Sequence, residues 1–166
     1  MNKPLVGILM GSDSDWPLVS KARDIFKDFG IPYEVHVMSA HRSPDIACEF
    51  ASSARARGLK TIICAAGVAA HLAGVIAAHT TLPVIGIPMP GGALNGLDAL
   101  LSTVQMPAGI PVATVAVGSA GPTNAALLAV QIIGTSDEKI AEALLAYKAK
   151  MRSKVIEADA KLQAEA

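Results

Sequence analysis

The strongest constraint on the fold of this chain is the alternation of short, continuously apolar segments with longer segments of helical character. Apolar runs of this kind are typical of strands buried on both faces of a parallel sheet. Right-handed crossovers between such strands favour an α/β fold, a flavodoxin-like doubly wound sheet with αβα layers and strand order 2-1-3-4-5. The predicted strands occupy residues 5–10, 33–38, 61–66, 84–87 and 112–117.

Helix signals fill the intervening segments. Ser43 followed by Pro44 is typical of a helix N-cap and first turn. Thr135 and Glu138 form a capping-box pattern that predicts a long C-terminal helix over about residues 136–166. Because only one stripe of this helix is apolar, it needs a partner surface, which we expect between subunits rather than on its own sheet. The other helices are expected over about residues 16–29, 44–57, 72–79, 97–104 and 122–133.

Composition limits the class of protein. A chain of 166 residues fits a single domain, 1–166, and its zero net charge argues against nucleic-acid or membrane partners. No apolar run reaches the length of a membrane helix, and no signal peptide is evident. Cys48 and Cys64 lack metal or redox spacing, so we interpret them as small buried side chains of a cytoplasmic protein. Apolar residues reach 52% and aromatic residues only 4%, which predicts burial between subunits of a homo-oligomer.

Polar and glycine-rich residues follow the first three predicted strands. Gly11-Ser12-Asp13-Ser14-Asp15 places two hydroxyls and two carboxylates directly after the first strand. A helix cap needs only one of these side chains, so the others are available to a ligand. In the predicted order these three strands are neighbours. The loops that begin near Gly11, Ser39 and Gly67 therefore meet at one edge of the sheet, where such folds bind ligands.

The second of these loops carries the residues best suited to chemistry. Arg42 lies close to a helix start, and its guanidinium fork and the hydroxyls of Ser39 and Ser43 suit a phosphate group. His41 can give and take a proton near neutral pH. An isolated histidine at a loop corner is more often structural, but the flanking Ser39 and Arg42 favour a functional role.

The third loop places His71 after a run of small residues, 65–70. Small side chains let a ligand ring approach the backbone, whose exposed amides can donate hydrogen bonds. A helix cap or a structural histidine is an equal alternative for His71. His36 and His79 fall outside these loops, and we interpret both as structural.

Several other chemistries lack their motifs. No G-x-G-x-x-G follows the first strand, no phosphate loop ends in Gly-Lys-Ser/Thr, and no G-x-S-x-G elbow is present. The histidines and cysteines lack zinc-ligand spacing. Two acidic residues after the first strand, here Asp13 and Asp15, are also typical of magnesium-dependent phospho-receivers. Those proteins need a further aspartate at the end of the third strand, where this chain has Ala65-Ala66-Gly67.

Four segments occur in a distinctive order: Gly11-Ser12-Asp13-Ser14-Asp15, Ser39-Ala40-His41-Arg42-Ser43-Pro44-Asp45, Ala69-Ala70-His71-Leu72 and Val104-Gln105-Met106-Pro107-Ala108-Gly109-Ile110-Pro111-Val112. Together they resemble the class I N5-carboxyaminoimidazole ribonucleotide mutases of purine biosynthesis, over about residues 4–150. That family usually reads Gly-Gly-Ala-Ala-His-Leu-Pro-Gly in its third segment. This chain has Val68 and Ala73 in place of the second glycine and the proline.

The resemblance implies a flavodoxin-like fold, a cytoplasmic homo-octamer, and a reaction without metal or cofactor. Its substrate is a small ribonucleotide whose carboxylate moves from the exocyclic nitrogen to ring carbon 4. By motif, His41 matches the family's catalytic residue. The nucleotide-binding positions match Ser12, Asp15 and Arg42, and the surrounding pocket matches Ser39, Gly67 and His71.

The chemistry of that reaction is compatible with a single histidine. The nitrogen needs a proton when its bond to the carboxylate breaks, and the ring carbon loses one after it attacks carbon dioxide; one imidazole can act as acid and then as base. Two alternatives stay open. One is an AIR carboxylase that uses free carbon dioxide, which the segment Ala69-Ala70-His71-Leu72 disfavours. The other is a non-catalytic nucleotide-binding module, which has no need of the proton shuttle that His41 offers.

Overall fold

The structure, a computed structural model, describes residues 3–165. They form two compact units, one ending at Val130 and the other beginning at Gln131. The first unit contains five strands: β1 Val6–Met10, β2 Tyr33–Val37, β3 Thr61–Ala66, β4 Val84–Pro88 and β5 Ala113–Thr114. They pair in parallel in the order β2-β1-β3-β4-β5, which confirms the predicted flavodoxin-like topology.

Helices connect the strands and follow the last one. They are α1 Trp16–Val19, α2 Lys21–Asp28, α3 Pro44–Arg57, α4 Leu72–Ala78, α5 Leu97–Val104, α6 Gly121–Gly134 and α7 Glu138–Glu165. The expected helix over residues 16–29 is divided at Ser20, whose hydroxyl donates to the carbonyl of Pro17 at 3.1 Å. A serine hydroxyl competes in this way with the regular backbone pattern of a helix.

The fifth strand is shorter than predicted. Only Ala113 and Thr114 pair with β4, and one further hydrogen bond runs from the Val115 N–H to the Gly86 carbonyl at 3.0 Å. Gly118 then takes a φ of +85°, a conformation that ends an extended segment. The predicted end of this strand at residue 117 is therefore wrong.

The three central strands, β1, β3 and β4, have continuous apolar sequences because both faces of the sheet are covered there. Every residue of β1 and β4 is buried. One core cluster joins Leu9, Ile62 and Cys64 of the sheet to side chains of α3 and α4. Burial raises the pKa of the Cys64 thiol, which keeps it protonated and inert. Cys48 is only half-buried, so the prediction that both cysteines are buried is wrong for Cys48.

A glycine in β4 brings α5 unusually close to the sheet. A Cβ atom at Gly86 would collide with the Thr103 side chain, so only glycine fits this position. Thr103 is buried, and its hydroxyl donates to the Ala99 carbonyl at 2.7 Å. This close packing places the neighbouring Ser102 beside the loop that follows β3.

The second unit contains the predicted long C-terminal helix. α7 spans 28 residues, and none of them is buried. Asp137 caps the first turn of α7, because the Asp137 carboxylate accepts the Ile140 N–H at 3.2 Å. Thr135 does not cap the helix, since its hydroxyl donates to the Ile132 carbonyl. Packing of this helix between subunits stays a prediction, as does the single-domain organisation. Among the helices described, none is both long and apolar enough to cross a membrane.

Candidate active site

The carboxyl ends of β1, β2 and β3 open into a cleft of about 400 Å³. The three strands are adjacent in the sheet, so their following loops form its walls. The cleft is lined by all seven residues that the sequence singled out: Ser12, Asp15, Ser39, His41, Arg42, Gly67 and His71. These residues therefore face one shared cleft.

The loop after β1 forms a short 3₁₀ turn, Asp13–Asp15. Ser12 caps this turn, because its hydroxyl accepts the Ser14 N–H at 3.3 Å. Asp15 makes no capping hydrogen bond and is half-buried at the cleft. Burial is the main cause that raises the pKa of Asp15; the Asp13 charge adds to the rise, and a backbone hydrogen bond with Ser12 opposes it. The cap therefore leaves the Asp15 carboxylate available to a ligand.

The loop after β2 is shaped by two serines. The Ser39 hydroxyl accepts the backbone N–H groups of His41, at 3.3 Å, and Arg42, at 3.1 Å. The sequence predicts that the Ser43 side chain caps α3, and this prediction is wrong. Its hydroxyl instead accepts the Ser39 N–H at 3.0 Å and donates to the Ser39 carbonyl at 3.2 Å, which closes the loop on itself.

Arg42 connects this loop to the loop after β1. Its Nη2 donates to the Gly11 carbonyl at 2.6 Å, and its Nε lies 3.5 Å from the Ser39 hydroxyl. A guanidinium has five N–H donors, so further donors are available to an anion. A second depression of about 300 Å³ adjoins the cleft and shares Gly11, Ser12, Ser39 and Arg42 with it. Arg42 thus lies where a ligand could extend from one depression into the other.

Two imidazoles meet across the cleft. Nε2 of His41 lies 2.8 Å from Nδ1 of His71, and the ring planes are inclined at 82°. Both side chains are exposed to solvent. In a hydrogen bond between imidazoles one nitrogen donates and the other accepts, so the accepting ring is neutral. Two imidazoles joined in this way can pass a proton from one ring to the other.

Sequence reasoning missed two features that shape the loop after β3. Val68 has a φ of +55°, in the left-handed region that β-branched residues rarely adopt. The family usually has glycine at this position, and that difference was the sequence signal for an unusual backbone conformation at Val68. Ser102, on α5, accepts the backbone N–H of Ala70 at 3.0 Å. Nothing in the sequence pointed to Ser102, because its role depends on how α5 packs.

The remaining histidines lie elsewhere. His36 sits on β2, 3.5 Å from Glu34 and edge to face with Phe50. His79 follows α4, with its Nδ1 2.9 Å from the Val75 carbonyl. Within residues 3–165, no group of three or more His, Cys, Asp or Glu side chains is arranged to hold a metal ion.

Residues 5–154 match the AIR carboxylase family, and the chain therefore belongs to this family. Relatives named as N5-carboxyaminoimidazole ribonucleotide mutases confirm the resemblance that the motifs predicted. An N5-carboxyaminoimidazole ribonucleotide mutase of Pyrococcus horikoshii is 55% identical, over 97% of this chain and 90% of that protein. A phosphoribosylaminoimidazole carboxylase of Saccharomyces cerevisiae is 52% identical over 98% of this chain, but the match spans only 28% of the yeast protein. The crystal structure of Treponema denticola PurE superimposes with a TM-score of 0.86 at 35% identity, covering 96% of this chain and 98% of that one.

Proposed function

We propose that this chain is an N5-carboxyaminoimidazole ribonucleotide mutase, an isomerase of de novo purine biosynthesis. It moves the substrate carboxylate from the exocyclic nitrogen to ring carbon 4 and uses no metal or cofactor. The observation that carries this proposal is the contact of His41 with His71 in a cleft that also holds Arg42. A proton-transfer group thus stands beside an anion-binding group. High identity to a mutase supports the choice of substrate.

His41 supplies both proton transfers in this scheme. Protonated His41 donates to the exocyclic nitrogen as the bond between nitrogen and carboxylate breaks and carbon dioxide forms. Ring carbon 4 then attacks the carbon dioxide, and neutral His41 removes the proton from that carbon. The proton given in the first step is recovered in the second, so the reaction is balanced as an isomerisation.

Arg42 and Ser39 bind the substrate phosphate. The Ser39 hydroxyl accepts two backbone N–H groups through its lone pairs, which leaves its own hydrogen to donate to a phosphate oxygen. Ser12 adds a hydroxyl at the same end of the cleft, and the Asp15 carboxylate accepts hydrogen bonds from the ribose hydroxyls. Binding energy from phosphate and ribose then aligns the imidazole ring with His41.

Part of the cleft lining consists of small, apolar residues. Ala66 and Gly67 line the cleft beside His71. Carbon dioxide is itself small and apolar, and a wall of this kind excludes water and retains the gas between the two steps.

A direct assay tests the proposed reaction. Freshly prepared N5-carboxyaminoimidazole ribonucleotide is offered without ATP and with a chelator, and a parallel reaction contains the uncarboxylated ribonucleotide with bicarbonate. Rapid conversion of the first substrate alone is the expected result. Faster use of the uncarboxylated ribonucleotide with bicarbonate would identify the chain as a carboxylase. The name of the yeast relative favours this alternative function. Tight binding without conversion of either makes it a nucleotide-binding module.

We further propose that the protein is a cytoplasmic homo-octamer. Leu97, Leu101 and Val104 follow one another at helical spacing on α5 and are 52%, 47% and 47% exposed, which is a large apolar face for an isolated chain. Several apolar side chains of α7 are exposed as well, which supports its packing between subunits. Free thiols at Cys48 and Cys64 suit a reducing compartment. Light scattering at micromolar concentration tests the assembly, and a monomer contradicts it.

A further inference from the structure

A hydroxyl outside the cleft holds the loop that carries His71. Ser102 lies on α5, and its Oγ accepts the Ala70 N–H at 3.0 Å. The nearest acceptor for its own hydrogen is the Asp98 carbonyl, at 2.7 Å. Ala70 is only 1% exposed, and its N–H is shared between Ser102 and the Val68 carbonyl, also at 3.0 Å. Ser102 therefore links the backbone of α5 to the loop after β3.

The same loop contains backbone strain. Val68 holds a φ of +55°, which crowds a β-branched side chain against its own backbone. Such a conformation persists only where neighbouring contacts oppose its relaxation. Ala70 and His71 follow within three residues, so relaxation at Val68 would displace the imidazole of His71. The contact from Ser102 acts on Ala70, which lies between Val68 and His71, and resists this movement.

We propose that Ser102 is a positioning residue for the reaction, an inference that rests on the proposed function. By holding the Ala70 amide, it keeps the strained turn closed and His71 within hydrogen-bond distance of His41. Ser102 is not among the residues that line the cleft, so it acts through the loop and not on the substrate. Its loss should therefore affect turnover more than substrate binding.

Steady-state kinetics with three serine variants make the first test. Ser102→Ala is expected to lower kcat about tenfold and to change KM by less than about twofold, because displaced catalytic groups lose transition-state alignment. Ser102→Thr keeps the hydroxyl and should restore kcat to about half of the wild-type value or more. The matched control is Ser53→Ala. Ser53 is a helical, partly buried serine that donates to the Phe50 carbonyl at 3.2 Å, and its loss should change neither constant.

A double-variant cycle tests the link to backbone strain. Glycine adopts a positive φ readily, so in a Val68→Gly background the turn needs little support. There the additional change Ser102→Ala should cost about twofold or less in kcat, instead of about tenfold. An equal loss in both backgrounds overturns the proposal, as does an equal loss of kcat in Ser53→Ala.

Histidine ¹⁵N NMR of the free protein separates this proposal from the proposed function. In Ser102→Ala the ring signals of His41 and His71 should move, while those of His79 stay in place. Unchanged His41 and His71 signals overturn the positioning role, even if the wild-type protein proves to be a mutase. If the His41 and His71 signals shift in Ser102→Ala but the wild-type protein has no mutase activity, the positioning contact is supported and the proposed function is rejected. If Ser102→Ala does not fold, Ser102→Cys, with similar volume and a weaker acceptor, serves the same comparison.

Discussion

The imidazoles of His41 and His71 are joined by a 2.8 Å contact between Nε2 and Nδ1. This contact links the loops after β2 and β3, and the two residues are 30 positions apart in the chain. Since one ring donates and the other accepts, each fixes the orientation of the other. The proposed proton shuttle is therefore held in place by a residue of a different loop.

Replacing His41 tests the shuttle itself. We expect His41→Asn to lower kcat by about 10²–10⁴-fold, the usual contribution of general acid–base catalysis. The side chain is exposed, so circular dichroism should show an intact fold. His79→Asn is the matched control, because His79 is an exposed histidine outside the cleft. Near-normal turnover by a folded His41→Asn protein contradicts the single-histidine scheme.

Arg42→Lys tests anion binding. Lysine keeps the charge but loses the planar fork that reaches the Gly11 carbonyl and a phosphate together. We expect KM to rise about tenfold, from the loss of one charge-assisted hydrogen bond and of the contact between the two loops. Arg23→Lys, an exposed arginine on α2 paired with Asp24, should leave KM unchanged. An unaltered KM in Arg42→Lys removes Arg42 from the phosphate site.

Asp15→Asn tests the ionisation of a half-buried carboxyl. Burial raises the pKa of Asp15 in the folded protein, so the unfolded chain releases this proton at lower pH. Ionisation of Asp15 therefore lowers the free energy of unfolding as the pH rises through and above 3.8, the usual pKa of an aspartate. We expect Asp15→Asn to melt at a higher temperature than the wild type at pH 7, with the difference vanishing at low pH.

The same variant should bind the ribonucleotide less tightly, because a neutral amide is a weaker acceptor for the ribose hydroxyls. Titration calorimetry measures the affinity for the ribonucleotide, and the melting curves measure the stability. Lower stability of Asp15→Asn at pH 7 contradicts the direction of the pKa shift.

Val68→Gly tests the strain in the loop after β3. We expect glycine at this position to raise the free energy of unfolding by about 1 kcal/mol, because it removes the cost of a left-handed β-branched residue. Urea unfolding measures the difference. Asn95→Gly is the control: Asn95 also has a positive φ, +50°, but asparagine tolerates it, so the gain should be smaller. A loss of stability in Val68→Gly shows that the valine side chain contributes more by packing than it costs in strain.

The topology and the place of the site were accessible from sequence because each depends on local patterns. Continuous apolar runs identified the parallel strands, and their order brought the loops of Gly11, Ser39 and Gly67 to one edge. The ends of elements were less accessible, since several polar side chains compete for each cap. Ser12, and not Ser14 or Asp15, caps the first turn, and the Ser43 hydroxyl bonds to Ser39 instead of capping α3.

The contact of Ser102 with Ala70 could not be predicted for a different reason. The two residues are 32 positions apart, and they meet only because Gly86 lets α5 approach β4. Such packing depends on the absence of a single Cβ atom, which leaves no periodic signal in the sequence. The left-handed φ of Val68 had one signal in the sequence, the departure from the glycine that the family usually has there, because valine itself is rarely found in this conformation.

The proposed reaction transfers a carboxylate within one substrate molecule. Its most direct test uses N5-carboxyaminoimidazole ribonucleotide labelled with ¹³C in the carboxylate, in buffer that contains an excess of unlabelled bicarbonate. The wild-type protein is expected to give a product that retains most of the ¹³C on ring carbon 4, and His41→Asn to give almost no product. A product that carries the unlabelled carbon of the buffer contradicts the mutase mechanism and identifies a carboxylase.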